Sequence, residues 1–396
     1  MRKFLSLLLA VSLMATLSAC SVADVAREII GKVTAPLTEE EKPPVEENRV
    51  SPQDEKIIWE EPEKIIVDEP LFDAKKGELY GYINTKGEFV IEPKYYIAME
   101  FSEGVAAVKF DGEDSFKLID KKGDVVGATD ASWVDPFCEG LAVAQVGGYD
   151  GKYGYIDKSG KMVISAQFDF ADDFSEGMAI VKIGDKFGFI DKTGNMVVGL
   201  QFDDAGVFSE GMAAVLINGK YGYIDKTGNF VIEPKFSDAG AFSEGLAPAD
   251  VDDKTGYINT KGEFVIEPQF YSGASFSEGF AVVTYREDYQ NYDGIIDKNG
   301  NFLVKPEMGT QFDSFCEGLA KISRDWEYGF IDKTGKIVIP LQYEFQSLHD
   351  SFKNGLAYTE GLGERGDPEG KGIYYTCGYI NTKGEVVYSW ETFAGF

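Results

Sequence analysis

Histidine is almost absent from this chain of 396 residues, which has a single one, His349, and only four cysteines and four tryptophans. A lone histidine that recurs in no repeat is more often a surface residue than a catalytic base. The sequence also lacks a Gly-x-Ser-x-Gly elbow, a phosphate-binding P-loop and a histidine-based zinc pattern. These absences argue against the common hydrolases, nucleotide-binding proteins and zinc enzymes. We therefore predict a protein that is not an enzyme, with no catalytic residue, cofactor or metal site.

Positive charge is also scarce, because 38 Lys and Arg face 67 Asp and Glu, for a formal net charge of −29. So acidic a chain repels nucleic-acid backbones and anionic lipid surfaces, which excludes a nucleic-acid partner. The main hydrophobic run lies between the basic pair Arg2-Lys3 and the small pair Ser18-Ala19. It is too short to be a convincing membrane span and is typical of a secretory signal peptide.

The end of this run, Leu17-Ser18-Ala19-Cys20, resembles a bacterial lipobox. The resemblance implies a lipoprotein signal peptide over residues 1–19, a lipid on Cys20, and an extracytoplasmic protein attached to the bacterial cell membrane by that anchor. We assign residues 20–78 to the lipidated cysteine and a linker. Residues 36–70 hold twelve acidic side chains and six prolines, a composition that favours an extended spacer.

From residue 79 to 396 the chain repeats two motifs, with a spacing of 34 residues through its centre. The first, exemplified by Gly222-Tyr-Ile-Asp-Lys-Thr-Gly228, occurs nine times. Asp225 and Gly228 suit a hairpin turn closed by a left-handed residue, and three copies carry Asn at the Asp position (Asn84, Asn259 and Asn381). Because a catalytic carboxylate would rarely tolerate that exchange, we interpret the repeated Asp as a turn residue.

The second motif, which we call the return motif, has the form Phe-Ser-Glu-Gly and occurs eight times. After Phe208-Ser-Glu-Gly211 comes an apolar run that ends at Asn218-Gly219, the strongest short hairpin signal. Each repeat is therefore predicted to be a three-stranded antiparallel meander, and Phe236 and Phe242 to anchor the crossing segment on neighbouring repeats. Both faces of the strands carry apolar side chains, so neighbouring repeats must bury them.

These motifs resemble the WG-repeat family, also called KWG repeats, over roughly 310 residues. The Trp of the family pattern is replaced by Tyr153, Phe187, Tyr221 and Tyr328, and by Thr255 and Cys377 in two further copies. The resemblance implies an all-β repeat architecture and little about activity. We predict an open curved β-array, with a closed propeller-like ring as the alternative, because propeller blades usually have four strands and nothing at the C-terminus completes the first repeat.

Acidic side chains are the obvious candidates for chemistry, and paired carboxylates could hydrolyse a cell-wall glycan. The glutamates of the return motif occur in seven equivalent copies, which argues for a bond to nearby backbone rather than for one active site. Asp111-Gly-Glu-Asp114 and Asp250-Val-Asp-Asp253 fit no EF-hand loop. Cys138, Cys316 and Cys377 are predicted to be thiols rather than disulfide partners. A contact between Cys377 and Cys138 or Cys316 stays open as an alternative.

Two insertions break the 34-residue spacing, at 285–292 and at 359–372. In repeat proteins such insertions map to loops on one face, often the binding face, although tolerated loop growth would look the same. The first is rich in tyrosine, so we predict a binding loop formed by Tyr285, Arg286, Tyr289 and Tyr292. The resulting hypothesis is a lipid-anchored binding or scaffold protein for a protein or cell-wall glycan partner. The alternative is a cell-wall glycan hydrolase built on the same array.

Overall fold

The structure, a computed structural model, describes residues 69–148, 150–325, 327–344, 351–366 and 372–395. Cys20, the predicted signal peptide, residues 20–68 of the predicted linker, and His349 lie outside these ranges. The described residues form strands and turns and contain no helix. The described part of the chain accordingly has no helix that could span a membrane.

Over the described ranges the strands form nine small antiparallel sheets in chain order, which we call blades 1 to 9. Blades 1 to 3 comprise β1 (Phe72–Lys76), β2 (Leu79–Ile83), β3 (Phe89–Tyr95); β4 (Ile97–Ala98), β5 (Val105–Lys109), β6 (Phe116–Asp120), β7 (Val125–Thr129); and β8 (Trp133–Val134), β9 (Leu141–Val146), β10 (Lys152–Asp157), β11 (Met162–Phe168). Blades 4 to 6 comprise β12 (Phe170–Ala171), β13 (Met178–Ile183), β14 (Lys186–Asp191), β15 (Met196–Phe202); β16 (Asp204–Ala205), β17 (Ala213–Ile217), β18 (Lys220–Ile224), β19 (Phe230–Phe236); and β20 (Ala247–Val251), β21 (Lys254–Ile258), β22 (Phe264–Phe270). Blades 7 to 9 comprise β23 (Ser272–Gly273), β24 (Phe280–Glu287), β25 (Gln290–Asp297), β26 (Phe302–Met308); β27 (Thr310–Phe312), β28 (Leu319–Arg324), β29 (Glu327–Asp332), β30 (Ile337–Glu344); and β31 (Leu356–Gly366), β32 (Gly372–Asn381), β33 (Val386–Gly395).

The turns of blade 5 form as the sequence predicts. Asn218 and Gly219 both have positive φ, 52° and 76°, and connect β17 to β18. Between β18 and β19, the Asp225 side chain accepts hydrogen bonds from the backbone N–H groups of Thr227 and Asn229, at 2.9 and 3.0 Å. Gly228 closes this turn with φ 85°. The repeated Asp is thus a turn residue.

The glycine of the Tyr-Gly-Tyr-Ile strand has a packing reason of its own. A Cβ at Gly222 would lie 2.6 Å from the carbonyl oxygen of Ile232 on the neighbouring strand. Pairing between β18 and β19 shifts register on either side of Tyr223, so the two backbones approach closely there. A side chain at this position would push the outer strand of the blade away.

The crossing segments supply a short extra strand, so most blades have four strands where the sequence predicted three. In the fifth repeat Asp204 and Ala205 pair with Leu216 and Val215. The predicted phenylalanine anchors are confirmed: Phe236 and Phe242 are both buried, and the Phe242 ring centroid lies 4.8 Å from that of Tyr223. The crossing segment therefore ties each blade to the next one.

The blades close into a ring. The hydrophobic core of the described residues consists of nine clusters, each of which joins two consecutive blades. Nine blades in an open array would have only eight such junctions. The ninth cluster packs Phe72 and Ala74 of blade 1 against Leu356 and Tyr379 of blade 9.

The closing junction repeats the packing of the internal ones. Gly123 in the turn of blade 2 lies against Ile91 of blade 1, and Gly228 of blade 5 lies against Val198 of blade 4. At the closing junction, the turn glycine Gly87 of blade 1 likewise lies against blade 9, where its nearest neighbour is the backbone carbonyl of Val387. The hydroxyl of Tyr388 also donates to the carbonyl oxygen of Lys75, at 3.1 Å.

The predicted open array is therefore wrong, and the alternative of a closed propeller-like ring is confirmed as a nine-bladed arrangement. The first strand, β1, lies within the segment that the sequence analysis assigned to the linker, so residue 79 is too late a start for the repeat domain. β1 supplies the strand that the first repeat lacked in our sequence interpretation. Closure then needs only packing between the faces of blades 1 and 9, and no strand from the C-terminus.

Candidate binding sites

The tyrosine-rich insertion is a hairpin rather than a loop. β24 and β25 pair as far as Glu287 and Gln290, so the inserted residues extend both strands. Asp288 and Tyr289 form the two-residue turn with φ of 48° and 63°. Two positive φ angles are typical of the primed hairpin turns that normally use Asn-Gly. A tyrosine in this left-handed position is unusual and is disfavoured locally.

The four predicted binding residues fall into two groups. Tyr289 is 91% exposed at the turn, and the Arg286 guanidinium lies beside it, 5.8 Å from the ring centroid. Tyr285 instead packs against Phe270, with a centroid separation of 5.3 Å, and its cross-strand partner Tyr292 is half-buried. Arg286 and Tyr289 are therefore available to a partner, whereas Tyr285 and Tyr292 mainly support the hairpin.

A second exposed aromatic side chain, Tyr271, belongs to the same surface, although the sequence pattern did not identify it. The Arg286 guanidinium lies 4.6 Å from the Tyr271 ring centroid and donates a hydrogen bond to its hydroxyl. We call Tyr271, Arg286 and Tyr289 the tyrosine–arginine surface. Tyr271 follows Phe270 as Tyr96 follows Tyr95 in the first repeat, so the repeat alignment gave no sign that it was special.

The second insertion, 359–372, forms the extended ends of β31 and β32, and residues 367–371 lie outside the described ranges. The three strands of blade 9 run to 11, 10 and 10 residues, against five to eight for the full-length strands of the other blades. The prediction of a loop at 359–366 is therefore wrong. Cross-strand pairing, such as Arg365 with Tyr374, lengthens the blade instead.

The glutamates of the return motif bond from one blade to the next. The side chain of Glu244 accepts hydrogen bonds from the backbone N–H of Gly279 in the following return motif, at 3.1 and 3.2 Å, and Lys298 Nζ lies 2.9 Å from the same carboxylate. These bonds hold the pKa of Glu244 below its usual value in spite of partial burial. The same backbone bond recurs at Glu103, Glu139, Glu176, Glu210, Glu278 and Glu317. Their structural interpretation as backbone acceptors is confirmed, with the acceptor and donor in adjacent blades.

The remaining candidates for chemistry also have structural surroundings. The Cys138 thiol donates to Asp173 at 3.4 Å, and burial raises its pKa to about 12, so it is a poor nucleophile. Cys377 is a buried thiol, 3.8 Å from the Thr392 hydroxyl. Asp252 and Asp253 form a hairpin turn with positive φ. Within the described ranges, no group of three or more metal-ligating side chains is placed to hold an ion.

The junction between blades 9 and 1, which we call the seam, departs from the glutamate pattern on both sides. On the side of blade 9, Asn354 stands where the other return motifs carry Glu. On the side of blade 1, Glu69-Pro70-Leu71 precedes β1 as Glu-Gly-Leu of a return motif precedes a strand, so Pro70 stands where the others carry the donating Gly. Proline has no backbone N–H to donate. Glu69 keeps part of the pattern, because Lys121 Nζ donates to its carbonyl oxygen at 3.0 Å, as Lys158 does to that of Glu103 at 2.8 Å.

A pocket of about 280 Å³ lies at the seam. Lys353 replaces the usual serine of the return motif, and its Nζ reaches across to both carboxylate oxygens of Glu100 in blade 2, at 2.9 Å each. This ion pair borders the pocket, together with the rings of Phe72, Phe101 and Tyr379. The Lys353–Glu100 pair is specific to the seam, because every other return motif carries Ser or Cys at the position of Lys353.

Asp73 contributes an acid to this pocket from a strand position that is apolar in most other blades, although blade 8 carries Lys321 there, paired with Asp313. It pairs across the strands with Tyr82, and the residues in the same register in blades 3, 4 and 5 are the buried Val143, Ile180 and Ala214. Removal from bulk water raises the pKa of Asp73 to about 6, and the negative charge of Glu100 acts in the same direction. A partly accessible acid at a core position is the arrangement expected of a functional group.

The repeats match one protein family. A family model described as "WG containing repeat" matches residues 80–113, 153–187, 187–221, 221–254, 256–287 and 328–360. These six segments together make up about half of the chain. The residues that replace the family Trp pack into the core: Tyr328, Thr255 and Cys377 are buried, and Tyr153 and Tyr221 are partly buried in inter-blade clusters.

Comparison with solved structures and curated proteins adds little to this. BamB from Moraxella catarrhalis is 10% identical, with a TM-score of 0.36 over 67% of this chain and 92% of that one. Apo AztD from Citrobacter koseri is 12% identical, with a TM-score of 0.36 over 82% and 98%. The dihydro-heme d1 dehydrogenase NirN, in complex with DHE, is 12% identical, with a TM-score of 0.43 over 74% and 75%. No curated protein matches the sequence.

Proposed function

The chain belongs to the WG-containing repeat family, and we propose that it is a lipid-anchored binding or scaffold protein outside the bacterial cytoplasmic membrane. Its partner is a protein or a cell-wall glycan, captured at the tyrosine–arginine surface of blade 7. Attachment through Cys20 rests on the lipobox-like sequence, and the acidic linker would hold the ring away from the membrane. A closed ring of repeated blades is well suited to this role, because it presents variable turns on a rigid support.

The observation that carries the proposal is the exposure of Tyr289 in a disfavoured backbone conformation beside Arg286. Tyrosine and arginine are, with tryptophan, the residue types enriched among those that dominate binding energies. The Arg286 side chain is held by Tyr271, so little side-chain entropy remains to be lost on binding. The ordinary turn residues at the same place in other repeats, such as Asn218-Gly219, show that folding does not require a tyrosine here.

The alternative of a glycan hydrolase stays a prediction. The repeated glutamates bond to backbone groups of the next blade, and the two oxygens of Glu100 are held by Lys353. A hydrolase of the common type needs two carboxylates that both face the sugar. These bonds support the binding role over hydrolysis.

The proposal predicts that Tyr289→Gly combined with Arg286→Ser lowers partner capture at least tenfold, because truncating such side chains at the centre of an interface typically costs about 2 kcal/mol or more. Glycine suits the positive φ at this turn, so the variant should fold at least as well as the wild type. The measurement is capture of envelope proteins on immobilised protein, run beside co-sedimentation with purified peptidoglycan. Replacing the whole 285–292 segment would be a poorer design, since Tyr285 packs against Phe270.

Tyr96→Ser is the matched control, because Tyr96 is an exposed tyrosine at the position equivalent to Tyr271, where the chain crosses from blade 1 to blade 2. It should leave capture unchanged. Capture by the Tyr289→Gly, Arg286→Ser variant at the wild-type level, in both assays, would reject the tyrosine–arginine surface as the binding site.

A further inference from the structure

The seam pocket holds one carboxylate whose charge is not balanced by a nearby cation. Glu100 and Lys353 form a pair in which both carboxylate oxygens contact the ammonium group. The hydroxyls that could serve Asp73 donate elsewhere: Tyr379 to the Asp73 carbonyl oxygen at 3.1 Å, and Tyr82 to that of Met99 at 2.7 Å. The Asp73 carboxylate is left with a hydrogen bond from its own backbone N–H. The two carboxylates of Asp73 and Glu100 and the ammonium group of Lys353 together give the pocket one net negative charge.

Four aromatic side chains line the pocket. The Phe72 and Tyr379 rings lie 5.3 Å apart between centroids, and the Tyr358 ring centroid lies 5.7 Å from that of Tyr379. Phe101 joins them from blade 2, where it packs against Tyr82 at 4.6 Å. Aromatic faces attract cations through their quadrupole, and the attraction is strongest where water is excluded. They also provide apolar surface for an organic ligand.

We propose that the seam pocket binds a small organic ammonium ion, with its charged group on Asp73 and its apolar body between Phe72, Phe101 and Tyr379. A carboxylate with aromatic walls attracts an organic cation, whereas an anion would be repelled by Asp73 and Glu100. A volume of about 280 Å³ is near the lower end of ligand pockets, which suits a small molecule rather than a glycan chain. This site is separate from the tyrosine–arginine surface and does not depend on it.

The position of the pocket in the fold supports a ligand role. Asp73 occupies a register where Val143, Ile180 and Ala214 fill the core in blades 3, 4 and 5. An acid there disfavours folding unless a cation compensates it, and its raised pKa is the sign of that cost. An arriving ammonium ion would supply the missing positive charge. Binding should then lower the pKa of Asp73, because an opposite charge favours the ionised form.

The test is a ligand-observed NMR titration of the purified protein with benzylamine at pH 7.5, beside benzyl alcohol as its neutral analogue of similar size. We expect saturable binding of benzylamine, at least tenfold tighter than that of the alcohol. Asp73→Asn should lose this preference. Equal affinities for the amine and the alcohol, undiminished amine binding by Asp73→Asn, or no saturable binding of benzylamine would each overturn the proposal.

Asp225→Asn is the matched control, because it removes one negative charge from an exposed turn where Asn occurs naturally in three repeats. It should bind benzylamine as the wild type does, which separates a local effect of Asp73 from a change in net charge. Titration with n-butylamine and with Nα-acetyl-lysine methylamide distinguishes two sources of the ammonium group. Tighter binding of n-butylamine assigns the pocket to a free amine, and tighter binding of the lysine derivative assigns it to a protein side chain. Both results support the ammonium site.

Discussion

Gly87→Ala should destabilise the protein by about 2–5 kcal/mol, whereas Gly77→Ala should cost only about 1–2 kcal/mol. Both glycines have positive φ, 79° and 65°, so each substitution carries the cost of a left-handed alanine. The two glycines differ in the atoms that an added Cβ would meet. A Cβ at Gly87 would lie 2.4 Å from the Val387 carbonyl oxygen in blade 9, whereas a Cβ at Gly77 meets no atom within 4 Å. The additional cost at Gly87 is therefore the cost of forcing the seam apart.

Denaturant unfolding of the two variants and the wild type measures this difference. The comparison is informative because Val387 is 300 residues away from Gly87 along the chain. In an open array Gly87 would lie on a free face, and its substitution would cost no more than that of Gly77. Equal destabilisation by the two substitutions would therefore contradict closure of the ring.

Asp73→Asn should stabilise the protein above pH 6, by on the order of 3 kcal/mol, and have little effect near pH 4. In the folded protein the pKa of Asp73 is raised from its ordinary value of 3.8 to about 6. Between these values the folded state holds a proton that the unfolded state has lost, so stability falls as pH rises from about 4 to 6. Above pH 6 the full cost of the buried charge is present, and the amide of asparagine avoids it.

The groups that face Asp73 come from three blades. Glu100 adds to the rise in its pKa, with Lys353 beside it, and the hydroxyls of Tyr80, Tyr82 and Tyr379 have pKa values raised mainly by burial. The measurement is the free energy of unfolding of both proteins at several pH values from 4 to 8. Asp225→Asn is the control and should show no such gain above pH 6, because hydrogen bonds lower the pKa of Asp225. If the free energies of unfolding of Asp73→Asn and wild type differed by the same amount at every pH in this range, Asp73 would not carry a destabilising buried charge and the prediction would be wrong.

This prediction also separates stability from function. A variant that is more stable and yet loses ammonium binding cannot have lost it through unfolding. Residues that cost stability and bind ligands are a recurrent feature of functional sites.

The local structure of the repeats could be predicted from sequence because it depends on contacts close along the chain. Asp225 and Gly228 define a turn wherever they occur, and the exchange of Asp for Asn excluded a catalytic role. Phe236 and Phe242 identified the inter-blade anchors because they recur at a constant spacing. The glutamates needed one further step, since the bond from Gly279 to Glu244 crosses to the next blade.

Closure of the ring was not predictable in the same way. It depends on how the rotation between successive blades accumulates around the ring, and no single motif encodes that angle. A signal for the first blade was nevertheless present. Glu69-Pro70-Leu71 is a degenerate return motif, with Leu71 in the core position of Leu246. Reading it as linker placed Asp73 outside the repeat domain and concealed the seam pocket.

The sequence predicted where the binding hairpin lies but not which of its side chains are available to a partner. Composition identified Arg286 and Tyr289, but it could not show that Tyr285 packs against Phe270 of the neighbouring blade. Tyr271 escaped notice because its importance comes only from Arg286, which lies 15 residues further along the chain. Sequence patterns located the region, and the side-chain geometry defined the surface.

Zero-length carbodiimide crosslinking of Lys353 to Glu100, read by mass spectrometry of the monomer, tests the closed ring most directly. The two groups are 2.9 Å apart in space and 253 residues apart along the chain. Lys298 and Glu244, at 2.9 Å, are the internal control, because they link neighbouring blades whether or not the ring closes. We predict both crosslinks within single chains. Formation of the Lys298–Glu244 crosslink without that of Lys353–Glu100 would contradict the closed nine-bladed ring.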